Sequence, residues 1–133
     1  LQFADKTLRA DKDVVMAAVK QSWMALQYAS HSLRADKDVI VAAVTRGGQA
    51  LSFAADDLKA DKEVLMAAVT RDQEGDALMY AAECLKADKE LVMAAVTVNG
   101  LAMKHAAQEL LRDGDFLGQL LSRASQRILR KWL

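Results

Sequence analysis

Three acids, Asp72, Glu74 and Asp76, alternate along Arg71-Asp72-Gln73-Glu74-Gly75-Asp76, the spacing of the first ligands in a calcium loop. The glutamate such a loop carries at its twelfth position would be Glu83, which is present. Two features oppose calcium: the glycine stands at 75 rather than 77, and Leu78 to Glu83 reads as helix. The segment is expected to be a solvated insertion loop. His31 and His105 are the only histidines, and neither has Cys or His at metal-ligand spacing. The single cysteine, Cys84, excludes an internal disulfide. It has no histidine near it to lower its pKa, so a small buried or half-buried side chain is expected. Carboxylate pairs such as Asp56-Asp57 recur with the rest of the pattern, unlike a catalytic pair. No phosphate loop, Ser/His/Asp set or dinucleotide fingerprint is present. The chain is read as non-catalytic, with no cofactor and no metal.

These residues sit on a repeat. Leu8 to Val19 reads LRADKDVVMAAV, Leu33 to Val44 LRADKDVIVAAV, Leu58 to Val69 LKADKEVLMAAV, and Leu85 to Val96 LKADKELVMAAV. The leading leucines step by 25, 25 and 27 residues, and a decayed copy opens at Leu110. Periodicity of this kind marks a stacked repeat protein. The fold class expected is all-α, an α-solenoid of helix-turn-helix repeats in one domain, 1–133. It divides into a partial repeat 1–8, repeats 8–32, 33–57, 58–84 and 85–109, and a decayed repeat with a longer capping helix at 110–133.

Each unit should hold two short helices. Asp11, Asp36, Asp61 and Asp88 precede an apolar run, where an N-cap belongs. A second acid two residues on favours the positive end of the helix dipole. A first helix of about nine residues follows, for example Lys37 to Thr45, with Ala-Ala at 17-18, 42-43, 67-68 and 94-95 allowing close approach. The glycines and Asn99 in the next turn suit a left-handed helix end. A second helix follows, as at Ala50 to Ala55, and runs to the leucine opening the next unit. Leu26, Leu51, Leu78 and Met103 form one of its columns; Tyr28, Phe53 and Tyr80 form another, in which His105 replaces a ring. Met16, Met66 and Met93 share a column with Val41, expected in the core. Such short helices are marginal alone, so neighbouring units must cover one another.

The chain has 133 residues, 53% hydrophobic and 27% charged, without proline. Its longest apolar run, Val14 to Val19, is far below the roughly 20 residues of a membrane span. Formal charge is zero overall, but Arg123, Arg127, Arg130 and Lys131 fall in a final stretch, 116–133, that has no acid. The repeat body lacks the basic stripe of a nucleic-acid binder. Leu1 to Ala4 aligns with Leu26 to Ala29, so the chain is expected to be a piece of a longer protein or to lack a processed N-terminal part.

Departures from the repeat mark candidate contact sites. Trp23 occupies a column otherwise held by Gly48, Gly75 and Gly100. It either meets a partner or folds over the incomplete first unit. Leu117, Leu121, Ala124, Ile128 and Trp132 form an apolar stripe, with the four basic residues off it. That helix either closes the stack or, with Arg123, Arg127, Arg130, Lys131 and Trp132, meets an anionic membrane surface or acidic partner.

The pattern L-x-A-D-K-[DE]-V-x-x-A-A-V, followed by a Gly turn and A-L-x-[FY]-A, resembles domain of unknown function 4116, a short repeat of microalgae and some bacteria. The resemblance runs from about Leu1 to Gly118. It implies helical repeats and carries no catalytic residue. The expected role is a protein-protein interaction scaffold whose partners are other protein subunits. An accessory subunit of an algal organellar or photosynthetic membrane complex, and the regulatory arm of an enzyme lying before Leu1, are the alternatives. Compartment stays open: soluble or peripheral, with a chloroplast location implied only by the resemblance.

Overall fold

The computed structural model describes residues 5–72 and 74–132, with side chains to Arg123. The fold is all-α, and no strand occurs among the described residues. One-turn helices alternate with longer ones: α1 Lys6–Arg9, α2 Lys12–Gln21, α3 His31–Arg34, α4 Lys37–Val44, α5 Asp56–Lys59, α6 Lys62–Val69, α7 Glu83–Lys86, α8 Lys89–Val98, α9 Gln108–Leu111 and α10 Gly114–Trp132. Four 3-10 helices, Trp23–Tyr28, Gly48–Phe53, Ala77–Tyr80 and Gly100–His105, follow α2, α4, α6 and α8.

A unit therefore has three pieces, not the two helices expected. The second helix is a 3-10 segment that stops at an extended alanine. Ala54, for example, has φ −71° and ψ 150°, and Ala29, Ala81 and Ala106 match it. A one-turn helix follows. The break has a use between units. The N–H after the extended alanine donates to the one-turn helix of the preceding unit: Ser30 to Arg9 O (3.0 Å), Ala55 to Arg34 O (3.1 Å), Ala82 to Lys59 O (3.0 Å) and Ala107 to Lys86 O (2.9 Å). A continuous helix would turn those groups back into itself.

The aspartates start the longer helices. Asp36 Oδ1 accepts the N–H groups of Asp38 and Val39, and Asp11, Asp61, Asp88 and Asp113 cap α2, α6, α8 and α10 in the same way. Each longer helix buries a ridge such as Val39, Ile40, Ala43 and Val44. Helices α2, α4, α6 and α8 touch in chain order, as do the 3-10 helices. Leu26, Leu51 and Leu78 are fully buried between the two rows, so the core is one continuous strip. Met16, Val41 and Met66 pack on its edge, and Met93 lies within it.

Several local expectations are corrected. The turn glycines are not left-handed: Gly47 has φ −169° and Asn99 φ −146°, and among the described residues only Gly75, at φ 83°, is positive. Gly48 is required for space instead, since a Cβ there would lie 2.8 Å from the Ala77 Cβ. Cys84 is exposed rather than packed, because its position in α7 faces away from the Leu85 ridge. In α10 the residue in the core is Phe116, 1% exposed, with Leu120 packed beside it. Leu121 is 69% exposed, so the stripe assigned to Leu117 and Leu121 is rotated from the buried face. Phe116 stands three residues after its capping aspartate, as Val39, Val64 and Leu91 do.

Candidate functional site

Two arrangements bring chemistry-bearing side chains together. The first joins the units. Lys37 Nζ lies 2.8 Å from Glu63 Oε2 and 3.1 Å from Asp61 Oδ2 of the next unit. Lys12 grips Asp36 and Asp38 (both 3.1 Å), and Lys62 grips Asp88 (3.1 Å) and Glu90 (2.8 Å). Lys89 continues the row to Asp113 at 2.7 Å. Asp36, Asp61, Asp88 and Asp113 thus each use one oxygen on their own helix and the other on the preceding unit's lysine.

The electrostatics follow from that geometry. The lysines are held above their usual 10.5: Lys12 chiefly by its bond to Asp36, Lys37 by Glu63, Lys62 by Glu90 and Lys89 by Asp113. Asp61 and Asp113 fall below the usual 3.8, first through the lysine bond and then through helix N–H groups. For Asp36 and Asp88 partial burial is the largest influence and opposes ionisation. Lysine and backbone N–H bonds together outweigh it and lower both. The row is not evident from one repeat alone, where the second acid is accounted for by the helix dipole and the lysine has no partner within its own unit. The signal was present: a lysine invariably followed, 26 or 28 residues on, by an acid.

The second arrangement lies along the turns. A groove of about 380 Å³ is lined by Trp23, Thr45, Arg46, Gly47, Gly48, Gln49, Arg71, Asp72 and Glu74. Trp23 is half-buried, and its indole leans forward on the turn of the following unit. Its ring centroid is 6.4 Å from that of Phe53, and a Cβ on Gly47 would lie 2.6 Å from its Nε1. Gly47 is therefore the gap into which the indole fits. The Arg46 guanidinium donates to the Lys20 carbonyl at the same edge.

The insertion loop does not converge on a cation. Asp72 is only 6% exposed, contrary to a solvated position, because its carboxylate turns inward to accept the Ala77 N–H at 2.6 Å. Glu74 accepts from the Gln49 amide. Asp76 meets His105 Nε2 at 3.2 Å and Lys104 at 3.4 Å; the His105 bond is the largest influence and, with Lys104, outweighs the opposing effect of burial to hold it below the usual carboxylate range. Glu83 pairs with Lys86 in α7. No group of three metal-binding side chains occurs among the described residues. His31 Nδ1 meets Arg34 at 2.9 Å on the exposed side of α3.

Arg123 is exposed on α10, and the side chains of Arg127, Arg130, Lys131 and Trp132 lie outside the described residues. No described helix is long and apolar enough to cross a membrane.

Consecutive three-piece units, each bonded to the next through backbone and lysine, define a helical repeat protein. The model of the family described as domain of unknown function (DUF4116) matches residues 1–34, 11–59, 36–74 and 61–111, and the chain belongs to that family. No curated protein matches the chain, and no solved structure does.

Proposed function

We propose that the chain is a non-catalytic interaction scaffold that holds other protein subunits in a larger assembly. The observation that carries this reading is the turn-edge groove, where Trp23, Arg46 and Arg71 line one concavity. Trp and Arg are the side chains most enriched at the energetic centres of protein interfaces. Trp23 stands in a glycine column, so the repeat itself does not call for an indole there. The acids in the same groove are already engaged by Ala77 N–H and Gln49, and Arg46 by the Lys20 carbonyl, which leaves the indole and the Arg71 guanidinium as its recognition chemistry.

Native mass spectrometry of the endogenous particle, paired with a Trp23→Ala, Arg71→Ala variant, tests the reading. The expected result is a multi-subunit mass that the variant loses while its own helical signal is retained. A monomer with intrinsic turnover would replace the scaffold by an enzyme or the arm of one.

A further inference from the structure

Two departures from the repeat meet in the turn-edge groove. Trp23 belongs to the first unit, Arg71, Asp72 and Glu74 to the third, and both sets reach the turn of the second. Both are held in place. The indole fills the gap over Gly47, and the insertion is fastened by Asp72 to the Ala77 N–H and by Asp76 to Lys104 and His105. The two arginines of the groove differ. Arg46 donates to the Lys20 carbonyl, 26 residues back. Arg71 holds the same column one unit on, where the equivalent acceptor would be the Thr45 carbonyl. It makes no such bond, and no described residue pairs with it. An exposed, unpaired guanidinium therefore stands beside a fixed indole.

We propose that the groove takes an extended segment of a partner subunit, with one carboxylate on Arg71 and an apolar side chain on the Trp23 indole. The proposal rests on the scaffold reading and names the kind of segment that reading requires. A guanidinium receives a carboxylate through two parallel N–H bonds, which fixes the segment's direction as well as its charge. The indole lies on the second unit's turn and Arg71 opens the third's, so one helix-to-helix packing distance of about 8–10 Å separates them. An extended chain advances about 3.3 Å per residue, which places the acid about three residues from the apolar side chain. Glu74 limits the charge. It is exposed in the same groove, and its partner Gln49 is neutral, so its negative charge persists. With Asp72 also lining the groove, a second negative charge on the segment is repelled. A single carboxylate is thus favoured over a phosphoryl group or a run of acids.

Titration of the full chain followed by nuclear magnetic resonance tests this. The probes are Gly-Ser peptides, acetylated and amidated at their ends, that carry Phe-Gly-Ser-Glu. Three controls replace the Glu by Gln, the Glu by phosphoserine, or the Phe by Ala. The signal read is the Trp23 indole N–H, assigned by its loss in Trp23→Phe. It should move and saturate with the Glu peptide, and each control should bind about fivefold more weakly, the upper end for an exposed ion pair. Arg71→Gln should abolish the preference for Glu over Gln, and Glu74→Gln should narrow the discrimination against phosphoserine. Both side chains are exposed, so the fold is retained. No shift with any peptide, equal binding of the Glu and Gln peptides, tighter binding of phosphoserine, or a Glu preference that survives Arg71→Gln would each overturn the proposal. The scaffold reading fails separately, on a monomeric endogenous particle. A particle that loses its partners in the Trp23→Ala, Arg71→Ala variant while the peptides fail would leave that reading standing and remove the acidic segment.

Discussion

Lys37 Nζ stands 2.8 Å from Glu63 Oε2, and the two residues belong to consecutive units. That pair, with its equivalents at Lys12, Lys62 and Lys89, ties the stack at one exposed edge while the apolar ridges hold it inside. Lys37→Met and Glu63→Gln should each lower the unfolding midpoint. The double variant should cost less than the two single costs combined, since either change alone removes the contact. The non-additive part should vanish near 1 M salt, where the screening length shrinks to about 3 Å. A salt-independent remainder would mean that packing of the lysine stem carries the coupling.

Asp61 does two jobs that substitution can separate. Its Oδ1 caps α6 and its Oδ2 meets Lys37. Asp61→Asn keeps a good cap and loses the charge; Asp61→Ala loses both. The alanine variant should cost about 0.5–2 kcal/mol from the cap, and the asparagine variant clearly less. Equal losses in urea titrations would show that the helix start does not depend on that oxygen.

The pKa directions set two edges of stability. Asp36, Asp61, Asp88 and Asp113 are lowered on folding, so their contribution is complete above the usual 3.8 and is lost as pH falls through and below it. The lysines are raised, so theirs is complete below 10.5 and is lost as pH rises beyond it. Unfolding midpoints should be flat with respect to these groups between those limits and fall outside them. In Lys37→Met the alkaline fall should be shallower than in the parent chain.

The glycines divide by what surrounds them. Gly48→Ala places a Cβ 2.8 Å from the Ala77 Cβ, in a row of 3-10 helices that cannot separate independently. A cost of about 1–3 kcal/mol is expected from overpacking. Gly118, within α10, has nothing within 4 Å of its added Cβ, and Gly118→Ala should gain about 0.5–1 kcal/mol. Thermal unfolding of the two variants should therefore move in opposite directions.

Much of the fold was readable from the chain, and the reasons differ by residue. The capping aspartates and the columns of Leu26, Leu51 and Leu78 were visible because caps and burial repeat in register with the 25-residue period. The break at Ala29, Ala54, Ala81 and Ala106 was not, since alanine is a good helix former and only a bond to the preceding unit makes its extended form worthwhile. Phe116 was overlooked because the stripe was traced along α10 itself and not from the cap at Asp113. At the candidate site, Trp23 was marked by its glycine column, whereas Arg46 and Arg71 became neighbours of it only through the stacking of turns. Asp72 looked like a loop acid; its inward bond to Ala77 depends on a close approach that Gly48 alone permits.

Leu65 is fully buried in α6, at the middle of the strip. Leu65→Ala should cost about 2–5 kcal/mol through the cavity it leaves. Residue-resolved hydrogen exchange of that variant is the most direct trial of mutual dependence between units. The amides of α4 and α8 should lose protection together with those of α6. If the loss stops at α6, with α4 and α8 as protected as before, the units stand by themselves and the coupled stack is contradicted.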